Sequence, residues 1–320
     1  MHTNNVLISI CVPAFNRAAY LERLLTSIKQ QAFTDFEVIV SDDSTGDDVK
    51  NLCATYTSFF SLKYFRNIKP LGTPENWNEA IRKANGEWIK IMHDDDWFAG
   101  TDSLLFFKRA IDQNVNSLFI FSAYYNIYEN NGRKQPVFLN QFRWRALLND
   151  PVTLLANNII GPPSVILHKN EKKFWYDAAV KWVVDIEYYI RYLQATKPFY
   201  IDKPLINVGI NDTQVTTYTF GIAEVHLKES LYLLNKTGEG HLKNIIVFDA
   251  WWRLIRNFSI KNITQIRSTG FDEKLPRIIS NIIQFQNKIP VSLLRRGVTS
   301  KMLMLTCYLL NKRNIRIQAW

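Results

Sequence analysis

Two hydrophobic periods alternate along the first ninety residues. Residues 6 to 12, VLISICV, form an unbroken apolar run closed by Pro13, which is the pattern of a buried strand running into a loop. From Arg17 to Gln31 the apolar positions fall at Tyr20, Leu21, Leu24, Leu25 and Ile28, the spacing of one face of a helix. FEVIVSDDST, 36 to 45, repeats the strand pattern and stops at paired aspartates. The same reading predicts a helix over 47–60, a third strand in LKYFRN (62–67), and a helix from Asn76 to Asn85 with Gly86 in a C-terminal cap position. A fourth strand, EWIKIM, halts at Asp94, Asp95 and Asp96. Strands and helices alternating at this length predict an α/β fold, a Rossmann-like and mostly parallel sheet flanked by helices.

From Glu224 the pattern turns helical: AEVHLKESLYLLNK, NIIVFDAWWRLIRNF, LPRIISNIIQFQNKIP and VSLLRRGVTSKMLMLTCYLLNKR follow in turn. The expected division is a sheet-containing domain over 1–222 and a helical region over 223–320. In the last segment Leu294, Val298, Met302, Leu305 and Leu309 share one face, with Arg295, Arg296 and Lys301 off it. That stripe packs the helix onto its own protein or lays it on a bilayer, and the sequence leaves both open.

Charge sharpens the picture. The formal net charge is +10, and after Glu273 nine basic residues follow with no acidic one. Such a surface attracts nucleic acid or anionic lipid. Here the basic residues lie among apolar ones, with no arginine-rich helix and no zinc spacing, so an anionic membrane surface is expected and nucleic acid is not. The 47% hydrophobic content supports a full core. No apolar stretch approaches the roughly 18 residues of a membrane span. Cys11, Cys53 and Cys307 are odd in number and far apart, the usage of a reducing compartment. MHTNNVLISICVPAF carries neither the basic stretch nor the cleavage site of a signal peptide. The expected location is cytoplasmic, peripheral at the inner face of the cytoplasmic membrane.

In a parallel sheet, ligands bind outside the carboxyl ends of the strands. Three of those ends carry VPAFNR, SDDST and HDDDW. Three adjacent carboxylates repel one another unless a cation compensates them, and a divalent metal does so most effectively. A solvated turn or a helix cap is the alternative for Asp94 to Asp96. Farther on, Ile186, Tyr189, Ile190 and Leu193 form a helical stripe that places Asp185 at a helix N-terminus, where the dipole favours the ionised carboxylate. An ordinary N-cap explains Asp185 equally from the pattern alone, and Glu187 is a rival two residues on.

Taken in order, VPAFNR (12–17), SDDST (41–45), NWNEAIRKANGEWIKIMHDDDW (76–97) and WVVDIEYYIR (182–191) resemble the inverting glycosyltransferases of family 2, which have the GT-A fold and build bacterial surface polysaccharide and lipopolysaccharide. The resemblance covers about the first 220 residues. It implies transfer of a sugar from a nucleotide-diphosphate sugar to an acceptor hydroxyl with inversion, assisted by Mn²⁺ or Mg²⁺. It places Pro13, Ala14, Phe15 and Arg17 against the donor, with Asp42 and Asp43 at its base or ribose. The family's Asp-any-Asp motif maps onto His93, Asp94 and Asp95, with Asp95 the metal ligand, and His93 departs from the usual aspartate. The family's general base maps onto Asp185. A lipid-linked saccharide is the implied acceptor.

Lesser candidates surround these. Asn76 touches the donor or caps the helix that follows it. His168, in GPPSVILHK, reaches a phosphate or acceptor or is a packed strand residue. Trp97, Trp175 and Trp182 offer flat faces for a sugar, or core. Asn211 and Gln214 lie in NDTQVTTYTF, which resembles the family's mobile loop. The competing functional reading is a catalytically silent nucleotide-sugar-binding protein, with His93 having weakened the metal chemistry.

Overall fold

A computed structural model describes residues 6–211 and 222–315. The chain forms two compact units, Met1–Leu148 with Ile159–Gln214, and Asn149–Asn158 with Val215–Trp320. The short Asn149–Asn158 segment thus clusters with the carboxyl-terminal helices, a feature that a single cut along the chain does not capture.

The first unit is built on one nine-stranded sheet. Its strands are β1 (Ile8–Ala14), β2 (Phe36–Asp42), β3 (Leu62–Arg66), β4 (Trp88–Ile91), β5 (Trp97–Phe98), β6 (Phe119–Tyr128), β7 (Arg133–Val137), β8 (Ile166–Lys169) and β9 (Pro198–Ile210). The order is β3-β2-β1-β4-β8-β6-β9-β5, with β7 paired to β6. β1 to β4 run parallel, with α1 (Ala18–Lys29), α2 (Asp48–Tyr56) and α3 (Glu75–Lys83) as their crossovers, and α4 (Ser103–Gln113) and α5 (Gln141–Asn149) follow farther along the chain. β8 enters antiparallel between β4 and β6, whereas β6 and β9 pair in parallel. β1 and β2 are buried almost throughout, as strands covered on both faces must be, and this explains their continuous apolar runs.

Local chemistry sets the ends. α1 buries Leu21, Leu24, Leu25 and Ile28, the predicted stripe apart from Tyr20. α3 stops at Lys83 because Ala84 is already extended. Gly86 therefore caps nothing; a Cβ there would lie 2.5 Å from the Ser9 nitrogen, so the glycine lets this loop press against β1.

In the second unit the helices Ala223–Thr237, Ile245–Asn257 and Arg277–Asn287 match the predicted segments. The last predicted segment is broken: Val291–Leu294 ends, the chain extends at Arg296, and Gly297–Asn311 begins a new helix. No helix among the described residues is long and apolar enough to cross a membrane.

Candidate active site

β4 ends at Ile91 and the chain turns at once, with the Asp96 N–H donating to the His93 carbonyl at 3.1 Å. This is a turn, but not a solvated one: Asp94, Asp95 and Asp96 are 3%, 5% and 2% exposed. Burying three carboxylates requires partners for each. Arg17, from the loop after β1, places Nη2 2.7 Å from Asp94 Oδ1 and Nη1 3.2 Å from Asp95 Oδ2. Asp96 is held elsewhere: Oδ1 accepts the Gly209 N–H of β9 at 3.0 Å, and the carboxylate takes the Ser164 hydroxyl. Ser164 Oγ also accepts the His93 N–H at 2.9 Å, so one serine fastens both ends of the turn. Beneath it the fully buried Lys90 donates its ammonium to the Ser164 carbonyl, and burial lowers its pKa to about 7.

Among the described residues, the turn gathers more carboxylates than cations. Burial raises the Asp94 pKa to about 7 against the pull of Arg17. Burial, with the Asp95 charge, raises Asp96 well above the carboxylate range. Burial lowers His93 to about 4, so its imidazole is neutral and can offer a lone pair. His93, Asp95 and Asp96 each present one ligand atom within 4.8 Å of the others. His93 Nε2 is buried with no hydrogen-bond partner among the described residues. One imidazole nitrogen and carboxylate oxygens form a donor set that suits Mn²⁺, and its oxygens suit Mg²⁺. The residues present therefore fit a divalent cation.

Two further contacts fix the turn from outside. Arg23 Nη2 donates to the Asp95 carbonyl at 2.8 Å and to Glu129 Oε1 at 2.9 Å, while its guanidinium lies 3.8 Å from the Trp97 ring centre. Gly209 allows β9 to approach, since a Cβ there would stand 2.6 Å from the Asp95 oxygen.

The neighbouring strand ends converge on the same edge. Pro13 is half-buried, Ala14 buried and Phe15 exposed, and the Phe15 N–H donates to Asp94. The Asn16 N–H donates to Ser44 Oγ at 2.8 Å, tying the β1 loop to the β2 loop. Asp42 accepts Ser44 N–H at 2.8 Å and Tyr64 O–H at 2.7 Å. Asp43 accepts the Asn67 amide at 2.8 Å and the Leu71 and Gly72 N–H groups at 3.0 and 2.8 Å, so it shapes the loop that precedes α3. Asn76 is not a cap; it lies inside α3 and accepts the Asn67 amide at 3.1 Å.

Asp185 is the second residue of α6 (Val184–Ala195), half-buried, with Oδ1 accepting the Ile186 N–H at 2.8 Å. Glu187 is fully buried and committed to a two-point pair with Arg191, at 2.5 and 2.8 Å. A chain of rings runs from the acidic turn toward α6: His93 to Trp77 at 4.8 Å, Trp77 to Tyr176 at 5.1 Å, and Tyr176 stacked on Tyr188 at 4.0 Å. Burial, reinforced by the Asp185 charge, raises the Tyr176 pKa well above its usual value, which places Asp185 within electrostatic reach of this chain.

The remaining candidates divide. Asn211 Nδ2 stands 3.5 Å from Asp95 Oδ2, beside the turn. Trp182 is half-buried just before α6. His168 corrects the expectation of a phosphate or acceptor contact: it is 3% exposed, with Nε2 3.1 Å from the Tyr188 hydroxyl and Nδ1 3.1 Å from the Lys169 carbonyl. Packed between Tyr188 and Tyr192, it is a core residue. Gln214 lies outside the described residues. The sequence pattern includes Asp96 in the acidic run without a role of its own, and it does not indicate Ser164, Arg23 or Gly209. The last three act through partners about 70 to 115 positions away and leave no local pattern.

Comparison with known proteins bears on this geometry. The family described as Glycosyl transferase family 2 matches residues 9–173. An uncharacterized glycosyltransferase of Haemophilus influenzae is 29% identical over 206 residues, 62% of this chain and 67% of that protein. A GalNAc(5)-diNAcBac-PP-undecaprenol beta-1,3-glucosyltransferase of Campylobacter jejuni is 38% identical over 91 residues, 28% of this chain and only 29% of that protein. Among solved structures, S. aureus TarS 1-349 in complex with UDP-GlcNAc superposes with a TM-score of 0.66, covering 98% of this chain and 93% of that one at 17% identity. That likeness establishes the fold, which is GT-A.

Proposed function

We propose, for a chain that belongs to glycosyl transferase family 2 and carries the GT-A fold, that it is an inverting transferase. It moves a sugar from a nucleotide-diphosphate sugar to an acceptor hydroxyl during synthesis of bacterial cell-surface polysaccharide. The observation that carries this reading is the buried cluster of His93, Asp95 and Asp96 at the carboxyl end of β4, linked through a chain of ring contacts to the first turns of α6, where Asp185 lies.

In this reading Asp95, flanked by His93 and Asp96, holds Mn²⁺ or Mg²⁺, which when bound stabilises negative charge on the departing nucleoside diphosphate. Arg17 keeps Asp94 and Asp95 in place and brings positive charge to the same edge. The loop from Pro13 to Arg17 lies against the donor, with Asp42, Asp43 and Asn76 setting the shape of the base and ribose pocket. Asp185 takes the proton of the acceptor hydroxyl at its carboxylate, from the first turn of α6. Glu187 does not serve as the base, because its charge is taken up by Arg191.

The acceptor is a lipid-linked saccharide, a reading supported by the undecaprenol-linked substrate in the Campylobacter relative's name. Catalysis belongs to the 1–222 domain. The basic region over 223–320 holds the enzyme peripherally at the inner face of the cytoplasmic membrane.

The test is release of nucleoside diphosphate from UDP-, GDP-, dTDP- and CDP-sugars with Mn²⁺ or Mg²⁺, repeated with EDTA. Release from one donor that stops on chelation is the expected result. Calorimetric binding of a nucleotide sugar without turnover, even with lipid-linked acceptors supplied, would instead identify a silent binding protein.

A further inference from the structure

The helix Gly297–Asn311 is amphipathic in the wrong sense for a helix simply packed onto its protein. The face it buries carries Ser300, Met304, Cys307, Tyr308 and Asn311. Polar contacts fix that face: Ser300 Oγ accepts from Trp252 Nε1 and from Arg256 Nη1, both at 3.0 Å, and Asn311 accepts the Asn281 amide at 2.7 Å. The Tyr308 hydroxyl donates to the Lys243 carbonyl at 2.6 Å. The opposite face is aliphatic and left in water: Val298, Met302, Leu305 and Leu309 are 78%, 67%, 44% and 61% exposed, with Leu310 beside them at 64%. Their spacing of four, three and four residues is one continuous stripe along the helix. Contiguous exposed apolar surface of this kind marks an interaction site.

Charge decides what covers it. Arg295, Arg296, Lys301, Lys312 and Arg313 are all exposed at the two ends and along the flank of the stripe. No acidic residue occurs in the chain after Glu273. A second copy docked face to face would set these cations against their own kind. Nucleic acid would satisfy the cations and leave the aliphatic stripe in water. An anionic bilayer satisfies both, with lipid phosphates taking the cations and the acyl boundary taking the stripe. We infer that the Val298–Met302–Leu305–Leu309 face of this helix lies in the interface of an anionic membrane, parallel to its surface. The inference deepens the membrane placement proposed above and does not depend on the transfer chemistry.

The experiment uses the full chain and co-sedimentation with two vesicle types, phosphatidylcholine alone and phosphatidylcholine with phosphatidylglycerol in equal parts. The variants are the double substitution Met302→Asn with Leu309→Asn, and Lys301→Gln. The wild type should bind the anionic vesicles and not the neutral ones. The double variant should lose more than about tenfold in affinity, because two partly inserted aliphatic side chains become polar. Lys301→Gln should weaken binding severalfold and make it less sensitive to salt. Because these side chains are exposed, melting temperature and donor hydrolysis should not change in either variant.

Equal binding by wild type and double variant would overturn the inference, as would failure to bind either vesicle. A wild-type dimer that the double variant converts to monomer would show that a second copy covers the face, and loss of vesicle binding to competing duplex DNA would point to nucleic acid; either result overturns it. Vesicle binding without donor hydrolysis would refute the transferase reading alone, and hydrolysis without vesicle binding would refute this inference alone.

Discussion

Gly209→Ala tests whether the acidic turn after β4 is held by close approach of β9. Gly209 does not adopt a left-handed conformation, so alanine costs nothing through its backbone angles. The cost is steric: the new Cβ would stand 2.6 Å from the Asp95 carbonyl oxygen, and 3.4 Å from both Arg23 Nη2 and Glu129 Oε1. A carbonyl oxygen accepts a carbon no nearer than about 3.2 Å, so β9 or the turn must move by at least about 0.5 Å. Movement strains the 3.0 Å bond from Gly209 N–H to Asp96 and the 2.8 Å bond from Arg23 to the Asp95 carbonyl. Overpacking of this kind costs about 1–3 kcal/mol of stability. In the transferase reading proposed above, displacing this turn by up to about 1 Å costs on the order of 100-fold in turnover.

The assay pairs urea unfolding with metal-dependent donor hydrolysis. Gly100→Ala is the control, because no atom lies within 4 Å of its added Cβ and its backbone is not left-handed. That variant should keep its activity and gain up to about 1 kcal/mol from a stiffer unfolded chain. If Gly209→Ala matches the wild type in both midpoint and turnover, β9 does not hold the turn and the reasoning is wrong.

Asp185→Asn should abolish transfer while calorimetry still records donor binding, since the amide cannot accept the hydroxyl proton; near wild-type turnover would reassign the base. Asp95→Ala should lower metal-dependent donor affinity itself, seen as a raised dissociation constant with Mn²⁺ and little change with EDTA. Arg17→Ala should impair both folding and donor binding, because Asp94 and Asp95 lose their cation in a buried turn; a stability loss of about 3–5 kcal/mol is expected for breaking such a pair, reduced where protonation of Asp94 relieves it. For His168, burial lowers the pKa from the ordinary 6.5 to about 4. Between those values the unfolded chain binds a proton that the folded chain does not, so this stabilisation is full above about pH 6.5 and is lost as the pH falls toward 4, by about 3 kcal/mol. His168→Gln should remove this contribution from the pH dependence of urea unfolding, measured as the wild-type-minus-variant difference across that window, because His93 adds a slope of the same sign and the raised Asp94 and Asp96 carboxyls one of the opposite sign.

The sequence by itself determined the first four strands of the sheet-containing unit, the three crossover helices that join them, and the polar strand ends where its chemistry gathers. Both are local: an unbroken apolar run reports burial on two faces, and a run that stops at carboxylates reports where the strand leaves the core. It also put Asp185 at a helix start, because the stripe of Ile186, Tyr189, Ile190 and Leu193 reads within one element. What it left open was decided by partners distant in the chain. Asp94 to Asp96 could be a solvated turn or a buried one, and Arg17, Ser164 and Gly209 make it buried. His168 could face a ligand or the core, and Tyr188 and Tyr192 close around it. The apolar stripe of the last helix was legible as a stripe, but periodicity states which side chains lie together, never which way they face. Trp252 and Arg256 bind Ser300 and thereby turn Val298, Met302, Leu305 and Leu309 outward. Long-range hydrogen bonds set that orientation, and no pattern within fifteen residues can encode them.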